Sequence, residues 1–249
     1  MNCREKVQWL KFIIFLFLLF SCAKDPVSPV PLPDDPVTDI DGNLYQTVRI
    51  GNQVWMAENL RTTRYNDGTP ITLDTSKTTW TNARTEKYCY YNNTMNTDSI
   101  TKFGALYNWY AVNSNKCAPT GWHVPTTAEW DILQSYMISN GYNYDGTTTG
   151  NKIGKSLAAK EDWIISTNTG AIGNNPSANN ISGFSAYPSG SRLTDGPYVR
   201  IGECGYFWSA TESGIQYYAY YRYLDYSNGY LLSGNFLKFN GFSVRCVRD

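Results

Sequence analysis

Five prolines fall within eleven residues, at Pro26, Pro29, Pro31, Pro33 and Pro36, and they divide this chain. Proline fixes its own φ and carries no amide hydrogen. Such a stretch forms neither a helix nor a central strand and favours extended polyproline II, at about 3.1 Å per residue. Residues 22–38 therefore read as a tether reaching up to about 50 Å. Whatever builds a core lies after it. Residues 39–249 have the length of one large β-containing domain or two small ones. No second proline-rich or charge-rich break interrupts them, which favours a single domain.

Ahead of the tether, basic Arg4, Lys6 and Lys11 precede nine apolar residues, Phe12 to Phe20, and then Ser21-Cys22. A charged start, a short apolar run and a small residue before the cut describe a secretory signal peptide over 1–21. Nine residues rise only about 14 Å as a helix, far short of the roughly 30 Å hydrocarbon core. Leu19-Phe20-Ser21-Cys22 resembles a bacterial lipobox, with Phe20 bulkier than the residue usual there, and makes Cys22 the lipidation site. Lys24-Asp25 is similar to signals that route some Gram-negative lipoproteins to the cell exterior. The expected place is the outer membrane, lipid-anchored through Cys22 and surface-exposed, with the periplasmic face as the alternative.

Removing Arg4, Lys6, Lys11 and Glu5 from 21 basic and 21 acidic residues leaves 18 against 20, a net charge of −2. That balance gives no electrostatic reason to expect nucleic acid or anionic lipid as a partner. The mature domain keeps Cys89, Cys117, Cys204 and Cys246. An even count in an oxidising compartment argues for two disulfides with three connectivities open. No C-x-x-C occurs and His123 is the single histidine, so neither a zinc site nor a His-based metal cluster is expected. Nothing in the sequence asks for a cofactor.

Along the domain, Leu44 to Ile50 and Gln53 to Met56 read as strands joined by a tight turn at Gly51-Asn52. Asp39-Ile40-Asp41-Gly42-Asn43 looks like a calcium loop, but its ligand order is wrong and Ile50 stands where a glutamate is needed, so a turn is expected. Lys87 to Tyr91 is a short strand candidate, and the apolar spacing of Leu106, Trp109 and Tyr110 leans towards a helix. The clearest local signal is Trp122-His123-Val124-Pro125-Thr126-Thr127-Ala128-Glu129-Trp130. Pro125 ends a strand, Thr126 caps a helix, and Glu129 reaches back in a capping box. Trp130, Leu133 and Met137 give that helix one buried stripe, and Asn140-Gly141 stops it. Glu129 thus has a structural task, and His123 is expected as a packed strand residue. A second short helix is expected over 151–160, then a long loop over 166–182. Strands are expected at 184–187, 206–210, 216–226 and 242–247, with Asn228-Gly229 as a two-residue type I′ turn.

The segments Gln53-Val54-Trp55-Met56-Ala57-Glu58-Asn59-Leu60, Cys117-Ala118-Pro119-Thr120-Gly121-Trp122-His123-Val124-Pro125, Gly205-Tyr206-Phe207-Trp208-Ser209-Ala210 and Gly241-Phe242-Ser243-Val244-Arg245-Cys246-Val247-Arg248-Asp249 resemble, in the same order, the Fibrobacter succinogenes major paralogous domain family. The resemblance covers nearly all of 39–249 and implies a secreted or lipid-anchored surface protein with no agreed activity. Pro125 to Trp130 and the closing Gly241-Phe242…Arg245 are more distantly similar to formylglycine-generating enzymes. That likeness implies an α+β, C-type-lectin-like single domain with antiparallel strands, two short helices and long loops. The closely spaced cysteine pair of those enzymes is missing, so their oxidation chemistry is not expected. The Glu-Pro-Asn and Trp-Asn-Asp-like triplets of calcium-dependent lectins are also absent. A lectin-like fold would pair Cys117 with Cys246, leaving Cys89 with Cys204.

These observations imply a binding or adhesion module rather than an enzyme, its ligand a glycan or a surface protein. Strand alternation over 217–223 puts Tyr218, Tyr220, Arg222 and Leu224 on one face and Tyr217, Ala219, Tyr221 and Tyr223 on the other. Exposed tyrosines beside a cation are typical of binding surfaces, so Tyr218, Tyr220 and Arg222, with Trp208 nearby in sequence, are the ligand-binding candidates. The alternatives are a structural subunit of a surface or fimbrial complex and a surface glycosidase. Glu58, Asp131, Glu161, Glu203, Glu212 and Asp225 are the carboxylates available to the latter.

Overall fold

The chain's β-branched and aromatic runs pair first with their neighbours. In the computed structural model, which describes residues 32–249, β2 (Leu44–Ile50) and β3 (Gln53–Met56) form the expected hairpin. Gly51 supplies the positive φ of +62° that the two-residue turn requires. β1 (Leu32–Thr38) lies on the far side of β2, and β13 (Val247–Arg248) returns beside β3, followed by β7 (Trp122–His123). The sheet order is thus β1-β2-β3-β13-β7, with the end of the chain paired next to the opening hairpin.

Residues 32–38, assigned to the tether by sequence, therefore belong to the domain. Pro33 and Pro36 are tolerated because β1 is an edge strand with an irregularity between Asp34 and Val37. Asp34 fastens this strand to its sheet, 2.5 Å from Arg49 and 3.0 Å from Arg248. Cys22 and the rest of the expected signal and tether lie outside the described residues.

A second sheet runs β12-β11-β10-β8-β9, built from β8 (Ser189–Arg192), β9 (Tyr198–Ile201), β10 (Cys204–Glu212), β11 (Tyr218–Asp225) and β12 (Leu232–Leu237). β4 (Thr72–Leu73), β5 (Lys87–Cys89) and β6 (Leu106–Tyr107) make a small third sheet. Five helices complete an α+β domain that is mostly β: α1 (Lys77–Trp80), α2 (Thr97–Phe103), α3 (Trp109–Val112), α4 (Thr127–Ser139) and α5 (Gly154–Leu157). Among the described residues, no helix is long and apolar enough to cross a membrane.

α4 is the hinge-pin of the arrangement. Thr126 and Glu129 form the capping box, satisfying amides at the helix start. Trp130, Leu133 and Met137 are fully buried. The Trp130 ring lies 4.8 Å from Trp55 of β3 and 6.0 Å from Phe207 of β10, so one side chain joins both large sheets. Burying about 200 Å² of such a ring contributes about 5 kcal/mol before entropy is subtracted.

Other expectations shift where backbone contacts overrule local pattern. The helix expected over 151–160 is a single turn. Gly154 donates to the Gly229 carbonyl at 2.7 Å, and a Cβ there would stand 2.7 Å from the Gly229 backbone. The same contact removes the type I′ turn. Asn228 and Gly229 have no positive φ, and β11 pairs with β12 only from Tyr223 opposite Leu232. The 184–187 and 242–247 strands reduce to isolated bridges and β13. The 166–182 stretch contains no strand, yet it is packed. Ile172 and Asn179 are buried, and Lys155 donates to the Ala171 and Asn174 carbonyls.

Candidate functional site

A groove of about 580 Å³ opens between α4 and the β11–β12 pair. Its construction follows from two periodicities. Thr127, Asp131 and Gln134 are spaced four and three apart, so they share one face of α4 beside the buried Trp130 stripe. Alternation in β11 turns Tyr220 and Arg222 to that same side, opposite Asn235 and Ser233 of β12. Leu224 continues the row into the core beneath α4.

The groove is polar and its members are linked. Asn151 closes one end, accepting from the Leu231 amide at 3.2 Å and donating to the Leu231 carbonyl at 2.7 Å. The Asn151 amide also reaches Gln134 at 3.4 Å. Arg222, only 6% exposed, donates to Asp131, whose own side chain is 62% exposed on the helix rim. Tyr220 is 37% exposed.

The structure separates the sequence candidates. Tyr220 and Arg222 line the groove together. Trp208 does not: it is fully buried, donates to the Tyr107 carbonyl at 2.8 Å and packs 4.4 Å from Phe242. Its neighbours Phe207 and Ser209 are buried as well, so β10 is covered on both faces at this point. Tyr218, half-buried opposite Leu237 at the other end of β11, is not among the groove residues. Sequence reasoning missed Asp131 as the partner of Arg222 and Gln134 as a groove neighbour, although their helical spacing beside the Trp130 stripe marked them as one face.

The other face of β11 packs differently. Tyr221 and Tyr223 stack against Tyr206, at 5.9 and 5.7 Å, and Tyr221 lies 5.2 Å from Phe242. Tyr206, Tyr221, Phe242 and Phe236 edge a smaller apolar cavity of about 150 Å³.

The expected disulfides are absent among the described residues: Cys89, Cys117, Cys204 and Cys246 are all buried free thiols. Cys117 and Cys246 share one core cluster, whereas Cys89 packs with Trp80 and Leu106 and Cys204 stands opposite Asp225. The Cys89–Cys204 pairing thus joins residues with different surroundings. Burial pushes the Cys89 and Cys204 thiols up to about 11 and Cys117 to about 12, and raises Cys246 as well. Held protonated, Cys89, Cys117 and Cys246 serve as small apolar core groups, while the Cys204 thiol donates to Asp225.

His123 does more than pack. Its ring nitrogens lie 2.6 Å from Glu129 and 2.6 Å from Asp249, joining the α4 cap to the last residue of the chain. Burial opposes its charge, but hydrogen bonds and the fields of both carboxylates outweigh that and raise its pKa. The calcium-loop lookalike is a turn, as expected. Asp39 accepts from the Asp41 and Asn43 amides, the Asn43 side chain and the Tyr45 hydroxyl.

The carboxylates considered for glycosidase chemistry are each engaged by protein groups. Glu58 pairs with Arg61, Asp131 with Arg222, Glu161 with Lys102, Glu203 with Arg200 and Glu212 with Lys238. Asp225 accepts from Ser227. Among the described residues, no cluster of His, Cys, Asp and Glu is arranged to hold a metal ion.

A family model described as the Fibrobacter succinogenes major domain matches residues 48–248. No curated protein and no solved structure matches the chain.

Proposed function

We infer that this chain, which belongs to the Fibrobacter succinogenes major domain family, is a surface lipoprotein that binds a glycan and is not an enzyme. The observation that carries this reading is the α4–β11 groove, where an exposed tyrosine ring sits among a carboxylate, a guanidinium, two amides and hydroxyls. An aromatic face beside directional donors and acceptors suits a sugar, which offers C–H faces and hydroxyls together. Return of the last strand to the opening hairpin supports a C-type-lectin-like version of the α+β fold. Anchoring through Cys22 would hold the groove outside the membrane.

A glycan array with residues 32–249 tests the binding claim. Signals that Tyr220→Ala abolishes support it, and silence across the array overturns it. Cys22→Ala tests the anchor: the protein should leave the membrane fraction, and unchanged fractionation refutes lipidation there.

Exposed Ile164, Ile165 and Ile201 favour a second reading, a structural subunit of a surface complex. Ile164 donates its amide to the Gly202 carbonyl, which brings this segment beside the end of β9. Co-purification of a stable complex that Ile165→Asp disrupts would favour that reading over the glycan one.

A further inference from the structure

Arg222 differs from the two most deeply buried arginines, Arg245 and Arg192. Arg245 makes five hydrogen bonds to Asn59 and three backbone carbonyls, and Arg192 donates to the carbonyls of Asp74, Ser76 and Gly196. Arg222 is also withdrawn from solvent, at 6% exposure, yet among the described residues its side chain makes one hydrogen bond, from Nη2 to Asp131. A guanidinium carries five N–H donors, so most of its capacity faces the groove unfilled. Its partner stands on the outer rim of α4, and ion pairs with so exposed a member open at little cost.

A desolvated guanidinium with free donors is matched best by a carboxylate, which accepts two parallel N–H bonds at once. Tyr220 stands beside it as an exposed ring, and Thr127, Gln134 and Ser233 supply hydroxyl and amide groups around it. We propose that the groove selects acidic glycans: the carboxylate of a uronic or sialic acid binds Arg222, the sugar ring lies against Tyr220, and Asp131 gives way. This rests on the glycan reading above and adds the charge of the sugar to it. Asp131 is then a competitor for Arg222 and not a contact to the sugar.

That distinction fixes the sign of the test. The full-length chain in detergent would be titrated calorimetrically with uronic- and sialic-acid oligosaccharides and with their carboxyl-reduced, neutral counterparts. Acidic members should bind at least tenfold more tightly, and Arg222→Gln should erase the difference. Asp131→Asn should tighten acidic binding about two- to fivefold, the equilibrium value of an exposed ion pair no longer competing. Should Arg222→Gln fail to fold, Asp131→Asn, on an exposed helix face, carries the test through its sign alone. Neutral sugars binding as well as acidic ones, or Asp131→Asn weakening acidic binding, overturns the carboxylate inference while the glycan reading stands. Binding of neither sugar class, with binding of a peptide ending in glutamate, overturns both.

Discussion

Replacing Arg245 by methionine should destabilise the domain by about 4 kcal/mol or more. The side chain is fully buried and donates to four oxygens: Asn59 Oδ1 at 2.8 and 3.2 Å, Met56 O at 3.0 Å, Ser185 O at 3.2 Å, and Phe184 O. Methionine fills most of the same space, so the cavity contribution is small. What remains is four acceptors in a dry interior, each costing about 1–3 kcal/mol when left unpaired. Taking the lower bound for each gives about 4 kcal/mol. For a domain of this size, about 1 kcal/mol shifts Tm by roughly 2–4 °C, so a fall of about 8–16 °C is expected. Urea unfolding followed by tryptophan fluorescence measures the free energy, and thermal circular dichroism the Tm. Arg245→Lys keeps the charge but loses the planar fork, and should fall between wild type and Arg245→Met. Because Asn59 also binds the Phe103 carbonyl and the Ser189 and Ser243 hydroxyls, an Asn59/Arg245 double-mutant cycle should show strong coupling. A loss below about 1 kcal/mol in Arg245→Met, or additive effects in the cycle, would refute the view that this guanidinium organises the chain's closing segment.

Two further outcomes are expected. The His123 clamp should make stability pH-dependent. Its raised pKa means its contribution is complete below the unfolded histidine value of about 6.5 and disappears as pH rises through the folded value. Glu129, whose pKa is lowered despite burial by bonds from Thr126 and His123, adds stability above about 4.3 that is lost as pH falls. His123→Gln should thus cost about 0.5–1 kcal/mol near pH 6, a figure limited by solvent exposure, and almost nothing at pH 9; a pH-independent difference in urea midpoints contradicts it. Gly154→Ala should destabilise by about 1–3 kcal/mol although alanine is the better helix former, because the new Cβ meets the Gly229 backbone at 2.7 Å. Equal or higher stability in thermal unfolding would show that the two backbones separate freely.

Legibility tracked how local each device is. The α4 cap, its buried stripe and the β2–β3 hairpin are decided within a few residues, and the sequence carried all of them. Asn228-Gly229 has the composition of a tight turn but is claimed by Gly154 from 75 residues away. No windowed pattern contains that contact. Arg192 and Arg245 illustrate the same limit: arginine is a residue type mostly found exposed, and each of these is instead buried because distant carbonyls converge on it. Trp208 failed as a site residue for the converse reason, since an aromatic in a strand carries no mark of which side the core occupies until the partner sheet is known.

The groove shows why the candidate site was half visible. Tyr220 and Arg222 were legible from alternation within one strand, and Asp131 and Gln134 from spacing within one helix. Their meeting depends on Trp130, which places α4 between Trp55 of one sheet and Phe207 of the other. The buried row under α4 therefore sets the width of the groove above it. On that argument the groove is rigid along the helix, with its freedom concentrated in the exposed Asp131 carboxylate. Under the proposal above, an acidic ligand would exchange one partner of Arg222 for another without rearranging the fold.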